Sequence, residues 1–436
     1  MKITGITAHE VGVPMQSTLL WAYSFSNHGY TDHVAIATPR TIIEVKTDEG
    51  LTGLGEVWAS KAHMEGPVAA FVKGRDPFDW KRIIAEAPLS EKGNTGDPQN
   101  RAGLEFAMWD LIGKSLGRPV AALINGGYYT PTVEFAAYMF FRAPGVVEQG
   151  RSKGGGPGEV DLDNYAEHVA GVVKKYGFRS VKLKIGVYHP KDEIAAVKRV
   201  REALGPGPTL RIDPNSAWDL ETAIWAADQV KELGIEYLED VARGLDNQAR
   251  LRKATSLPVC VDGSYSLDRL SHAISEQAGE VAMCDIYGSG GIAGVRDWMT
   301  VARTFGLKTS MHSGRYLGVS HMAKVHAAAA VGPFDFPIDA HYHQQSDDIL
   351  KGGLLKYGPD GTMKVPDKPG LGIELDYDRI EKYRYTDARK KEYAEFHGML
   401  TSKFGGSGNP GGPRRLGYGD YSLFQSEHIQ KGGKHS

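Results

Sequence analysis

The chain has 436 residues, 41% of them hydrophobic and 24% charged, a composition that supports one large domain with a buried core and a smaller companion. Its 51 basic residues are balanced by 53 acidic ones, for a net charge of −2, so no polyanion-binding field exists and nucleic acid is not an expected partner. Two cysteines, Cys260 and Cys284, exclude a disulfide framework and a cysteine-rich metal site.

The opening stretch MKITGITAHEVGVPM holds no apolar leader, and no run approaches the roughly 18 apolar residues of a spanning helix. A cytoplasmic protein without membrane attachment is expected. From about residue 130 short apolar strands alternate with amphipathic helical stretches, the pattern of parallel βα units. The predicted strands cover 133–141, 180–185, 209–214, 235–240, 258–263, 281–286, 308–313 and 336–342. Predicted helices between them include 161–177, 192–205, 219–234 and 291–306, several opening on Asp or Ser and closing on glycine. Eight repeats of this kind predict an α/β fold of the TIM type, a (β/α) barrel. No G-x-G-x-x-G follows any strand, which argues against an open dinucleotide-binding sheet.

The second of these strands, VKLKIG (181–186), alternates lysine with apolar residues, so Lys182 and Lys184 share one face and Val181, Leu183 and Ile185 the other. Barrel chemistry sits at the C-terminal strand ends. There the chain places Lys182 and Lys184, then Asp213 with Asn215, then Glu239, Asp262, Asp285, His312 and His341 in turn. Burying so many charges is unfavourable unless they bind something, so the lysines are expected to point into the barrel. Asp213, Glu239 and Asp262, on adjacent strands, form an all-oxygen trio suited to Mg²⁺. Lys182 is expected to lower the pKa of Lys184 toward that of a base, and Asp285 to orient His312.

In their order, K-x-K, D-P-N, L-E-D, V-D-G, a strand-six Asp and a strand-seven His, these motifs resemble the enolase superfamily, mandelate racemase branch, and within it most of all the glucarate dehydratase group of acid-sugar dehydratases. The likeness extends from IIEVKTDEGLTGLGE (42–56) through GLEFAMWDLIGKSLGRPVAALING (103–126) to VPDKPGLGIELD (365–376). It implies an α+β capping domain built from the N-terminal part, residues 1–128, and the C-terminal segment, 355–436, around a catalytic barrel over 129–354. It also implies a lid loop near 16–34, in which His28 would contact substrate, as would Tyr138, Asn215, Ser313 and His341.

The implied reaction is Mg²⁺-dependent dehydration of an acid sugar, an aldonate or aldarate. Lys184 or His312 removes the α-proton, a metal-stabilised enediolate forms, the β-hydroxyl leaves and a 2-keto-3-deoxy acid results, with Asn215 and Lys182 helping to hold the carboxylate. The same opposed bases suit a racemase or epimerase of a 2-hydroxy acid, and a non-catalytic sugar-acid binding protein is the third reading. Departures from the group are Asp262 where its strand-five ligand is typically asparagine, HSGRYLG (312–318) in place of an HSN start, and the tail 404–424. Arg414 and Arg415 are the basic residues of that tail available for a distal carboxylate. The Gly-rich stretch 150–160 is assigned no chemistry. The expected partners are a small-molecule acid sugar and further copies of the chain, a homo-oligomer.

Overall fold

A computed structural model describes residues 1–20, 34–92, 96–142, 162–186 and 188–404. Three antiparallel strands open the chain: β1 (Ile3–Leu20), β2 (Val34–Thr47) and β3 (Thr52–Val57). The helix Asp97–Leu116 lies on this sheet at backbone contact distance, because the facing positions carry glycine. A Cβ on Gly55 would stand 2.1 Å from the Gly103 carbonyl, and one on Gly103 would stand 2.2 Å from that of Glu56. No larger residue fits there without moving the backbone apart.

The barrel strands are β4 (Thr132–Arg142), β5 (Ser180–Lys184), β6 (Thr209–Asp213), β7 (Ile235–Glu239), β8 (Val259–Val261), β9 (Val281–Cys284), β10 (Lys308–Met311) and β11 (Ile338–Ala340). Parallel ladders join β4 through β10 in sequence order, and β11 pairs in parallel with β4. Between β10 and β11 no ladder forms among the described residues. Helices follow each of β4 to β10, whereas β11 runs into the 3₁₀ turn His341–Gln344. The eight parallel strands are those read from the sequence, but the eighth lacks its own long helix.

Alternation places Tyr138, Lys182, Lys184, Arg211, Asp213, Tyr237 and Glu239 inside the barrel, while Val181, Leu183, Leu210, Ile212 and Leu238 pack outward under the helices. The end of β1 is paired on both sides, with β2 (Leu19 opposite Ala35) and with the end of β4 (Leu19 opposite Arg142). Residues 16–20, expected in a lid loop, are therefore strand, and Val34 opens the next one. Here strand pairing to β4 overrides the irregular local sequence. The remainder of that loop, with His28, lies outside the described residues, as do 150–160, Arg414 and Arg415.

A final strand, β12 (Thr362–Lys364), adds to the start of β4 in antiparallel sense. The chain then returns to the N-terminal sheet. Asp110 accepts the backbone N–H of Leu371 (2.7 Å) and of Leu54 (2.9 Å), and Tyr385 N–H donates to the Glu10 carbonyl (2.8 Å). The architecture is a TIM-type barrel with an N-terminal capping domain. Among the described residues no helix is long and apolar enough to cross a membrane.

Candidate active site

The residues that β5, β6 and β7 turn inward meet at the barrel mouth. Lys182, fully buried, donates to Glu239 Oε1, stands 3.0 Å from Asp339 Oδ2 and 3.1 Å from Asp213 Oδ2, and lies 4.4 Å above the centroid of the Tyr138 ring. Lys184 donates to Asp213 Oδ2 and to Asn215 Oδ1, and lies 5.7 Å from the same ring centroid. The backbone bends sharply past the strand ends: Asn215 (φ 52°), Ser216 (φ 57°) and Asp240 (φ 42°) are left-handed residues without being glycine. Such conformations are unfavourable and are held here by surrounding contacts, among them the Asn215 N–H to Asp213 Oδ1 bond of 2.9 Å.

On the other arc of the barrel, Asp285 Oδ2 accepts from His312 Nδ1 at 3.1 Å and from the Tyr316 hydroxyl, while its Oδ1 takes the N–H groups of Tyr287 (2.9 Å) and Gly288 (2.8 Å). Burial opposes ionisation of Asp285, but His312 and Tyr316 together hold its pKa below the ordinary carboxylate value. With Nδ1 turned to an ionised carboxylate, His312 presents Nε2 for proton transfer. The Tyr138 ring lies between the two arcs, its centroid 6.4 Å from that of His312 and 5.6 Å from that of His341. Ser313 Oγ accepts the His341 N–H at 3.3 Å, so both stand beside the pair. Among the described residues His341 Nδ1 is buried without a hydrogen-bond partner, and burial, then the charge of Arg315, pushes its imidazole far toward the neutral form.

One expectation needs correction. Burial and the charge of Lys182 do push the Lys184 pKa down, but Asp213, Tyr138 and Glu239 together outweigh them and the ammonium is held above its ordinary range. Asp213, Glu239 and Asp262 stand at or just past the ends of neighbouring strands, although as they stand no three acidic, imidazole or thiol groups among the described residues are drawn together closely enough to hold an ion. The reason is local. The two ammonium groups take Asp213 Oδ2 and Glu239 Oε1, and the Tyr265 hydroxyl takes Asp262 Oδ1.

The donor set nevertheless fits a hard divalent cation. All three donors are carboxylates at or just past the ends of adjacent strands, and Glu239 Oε2 is buried with no hydrogen-bond partner among the described residues. Burial raises the pKa of Glu239, Lys182 opposes this, and the negative charges of Asp213, Asp339 and Asp262 raise it further. Asp240 is likewise raised, by burial and then by Asp262 and Asp213. A bound cation would relieve this accumulation of negative charge.

Several participants escaped the sequence reading. Asp339 ties Lys182 to Arg211 Nη1 (3.2 Å), and Arg211 itself is fully buried. A period-two signal existed for both, since Asp339 lies two residues before His341 and Arg211 two before Asp213. Tyr265, Tyr316 and Arg315 lie on loops, where no periodicity marks them.

Comparison with known proteins agrees with this geometry. Residues 164–379 match the family described as enolase C-terminal domain-like, and residues 32–125 match the mandelate racemase / muconate lactonizing enzyme N-terminal domain. A probable glucarate dehydratase of Streptomyces coelicolor is 35% identical over 369 residues, covering 79% of this chain and 84% of its own length. An N-succinyl-L-Arg/Lys racemase of Bacillus cereus is 25% identical over 88% of this chain and 98% of its own. Among solved structures, an enolase of Pseudomonas fluorescens Pf0-1 with bound magnesium, potassium and tartrate superposes with a TM-score of 0.77 at 30% identity, over 90% of this chain and 93% of that one. The chain belongs to the mandelate racemase/muconate lactonizing enzyme family of the enolase superfamily.

Proposed function

We propose that this protein is a cytoplasmic, Mg²⁺-dependent acid-sugar dehydratase acting on an aldonate or aldarate. The observation that carries the reading is the placement of Lys184 and the His312–Asp285 pair on opposed arcs around the Tyr138 ring, beside three carboxylates that suit one cation. Asp213, Glu239 and Asp262 would hold the ion. Bound there, it supplies Lewis-acid stabilisation of the charge that develops as a substrate carboxylate loses its α-proton, and draws from Lys184 the carboxylate charge that keeps it protonated.

The protein's own groups do the rest. Lys182 and Asn215 orient the substrate carboxylate, and Tyr138 closes the floor of the site. Lys184 or His312 removes the α-proton, according to the configuration of that carbon. The base on the opposite arc, or His341, donates a proton to the departing β-hydroxyl, and the enol product tautomerises to a 2-keto-3-deoxy acid. The probable glucarate dehydratase relative and the tartrate held by the P. fluorescens structure support a hydroxy-acid substrate. Further copies of the chain are the expected macromolecular partners.

The test is a screen of the full-length protein with MgCl₂ against stereoisomeric aldonic and aldaric acids, detecting 2-keto-3-deoxy products. A product that disappears in both Lys184→Ala and His312→Asn supports the proposal. The racemase relative from B. cereus keeps a second reading in view, because two opposed bases also suffice for inversion. Exchange of the α-proton with deuterium from D₂O, with inversion and no dehydrated product, would replace dehydration by racemisation.

A further inference from the structure

The open seam of the barrel lies between β10 and β11, the strands that end in His312 and His341. Near its base Thr309 takes over part of the missing ladder, its carbonyl accepting the N–H groups of Asp335 (3.1 Å) and Phe336 (3.2 Å). Higher up, a side chain from the outer layer fills the gap. Lys324, on the helix Gly318–Val331, is fully buried, and its Nζ donates to the His312 carbonyl at 2.9 Å and to the Asp339 carbonyl at 2.7 Å.

A lysine in this place is unexpected on stability grounds. Among the described residues no carboxylate oxygen pairs with its ammonium, which binds two neutral carbonyls, and a buried cation so partnered is a weak source of stability. Its environment fits that view: burial, and to a smaller degree the charge of Lys182, push its pKa down to about 8, against the charges of Asp339 and Asp285. What the ammonium does achieve is geometric. The His312 N–H is held by the Cys284 carbonyl (2.8 Å), its Nδ1 by Asp285, and its carbonyl by Lys324, so its position is determined from three sides. Through Asp339 the same ammonium fixes the strand whose carboxylate holds Lys182.

We propose that Lys324 is a positioning residue that substitutes for the absent β10–β11 ladder and fixes His312 relative to the lysine arc. This deepens the dehydratase reading and rests on it for its kinetic consequence. Lys324→Met keeps the length of the side chain and removes both bonds and the charge, whereas Lys324→Gln keeps one donor and serves if the Met variant fails to fold.

Two measurements decide it. Steady-state kinetics on the acid identified by the screen should show kcat lowered at least tenfold in Lys324→Met, less in Lys324→Gln, with KM within twofold. Separately, the His312 imidazole resonances are followed by NMR in histidine-labelled protein without substrate, assigned through His312→Asn. Loss of the two Lys324 bonds should displace and broaden these resonances in Lys324→Met, less in Lys324→Gln. The second measurement does not depend on the reaction. If the wild-type protein turns over no acid sugar, the functional reading falls while the spectrum still judges Lys324. Unchanged His312 resonances, kcat within twofold of wild type, or equal losses in kcat and substrate affinity would each overturn the proposal.

Discussion

Lys184 and His312 differ in what holds them in place. The lysine is held by an adjacent carboxylate that also belongs to the candidate cation site, and the histidine by Asp285, itself fixed by Tyr316 and two backbone N–H groups. Removing either base should lower turnover by about 10²- to 10⁴-fold, the range of a lost general acid or base, with little change in thermal stability; kcat and the melting temperature measured together check this. Tyr316→Phe removes a single donor from Asp285. Its effect should be smaller, about three- to tenfold in kcat, the equivalent of one hydrogen bond of about 1 kcal/mol. A loss as large as that of His312→Asn would show that the hydroxyl takes part in proton transfer itself.

At the scale of elements, two carboxylates of the N-terminal domain cap barrel helices. Glu56 accepts the N–H groups of Leu317 and Ser320 (both 3.0 Å) at the start of the helix Gly318–Val331. Glu105 accepts those of Ile292 (2.7 Å) and Ala293 (3.0 Å) at the start of Gly291–Thr304, and the indole N–H of Trp109 at 3.0 Å. Burial pushes the Glu105 pKa up to about 7, against these donors, from 4.5. The native state therefore holds this proton over a range where the unfolded chain has released it. The contribution of this group is complete below about pH 4.5 and is lost as the pH rises to about 7. Glu105→Gln should remove that slope, seen as a flatter dependence of the urea midpoint on pH between those limits. Gly291→Ala is expected to destabilise more sharply, because a Cβ there would lie 1.8 Å from Glu105 Oε2 at a backbone φ of +89°.

Across the whole molecule the two domains share one apolar core. Val11, Val13, Ile36, Ile42 and Leu54 of the N-terminal sheet belong to the same buried cluster as Phe135, Leu183, Ile212 and Val325 of the barrel. With the capped helices, this shared core is expected to make the domains unfold together. A fragment covering residues 129–354 alone should show no cooperative thermal transition by circular dichroism. The full chain should melt in one step, and added MgCl₂ should raise its melting temperature, as any ligand of the native state does. Chelation with EDTA should abolish turnover on the acid identified by the screen.

How much of this was legible beforehand follows from the kind of information each feature needs. Strand identity and the inward direction of Lys182, Lys184, Asp213, Glu239, Asp285 and His312 were readable, because period-two alternation and strand-end position are local properties that a barrel repeats. The extension of β1 through residue 20 was not, since it comes from pairing with β2 and with β4, the latter more than a hundred residues away. Likewise Lys324 reads as an ordinary helix residue in HMAKVHAAAA; only the gap between β10 and β11 turns its ammonium into a clasp on His312. The state of Lys184 also needed three dimensions, because the balance between Lys182 and Asp213 depends on distances that spacing along a chain does not contain. Sequence by itself determined which chemical groups line the barrel mouth. Tertiary structure decided which of them touch and therefore how each charge is held, because electrostatic and hydrogen-bond energies change over an ångström while alternation reports only a face.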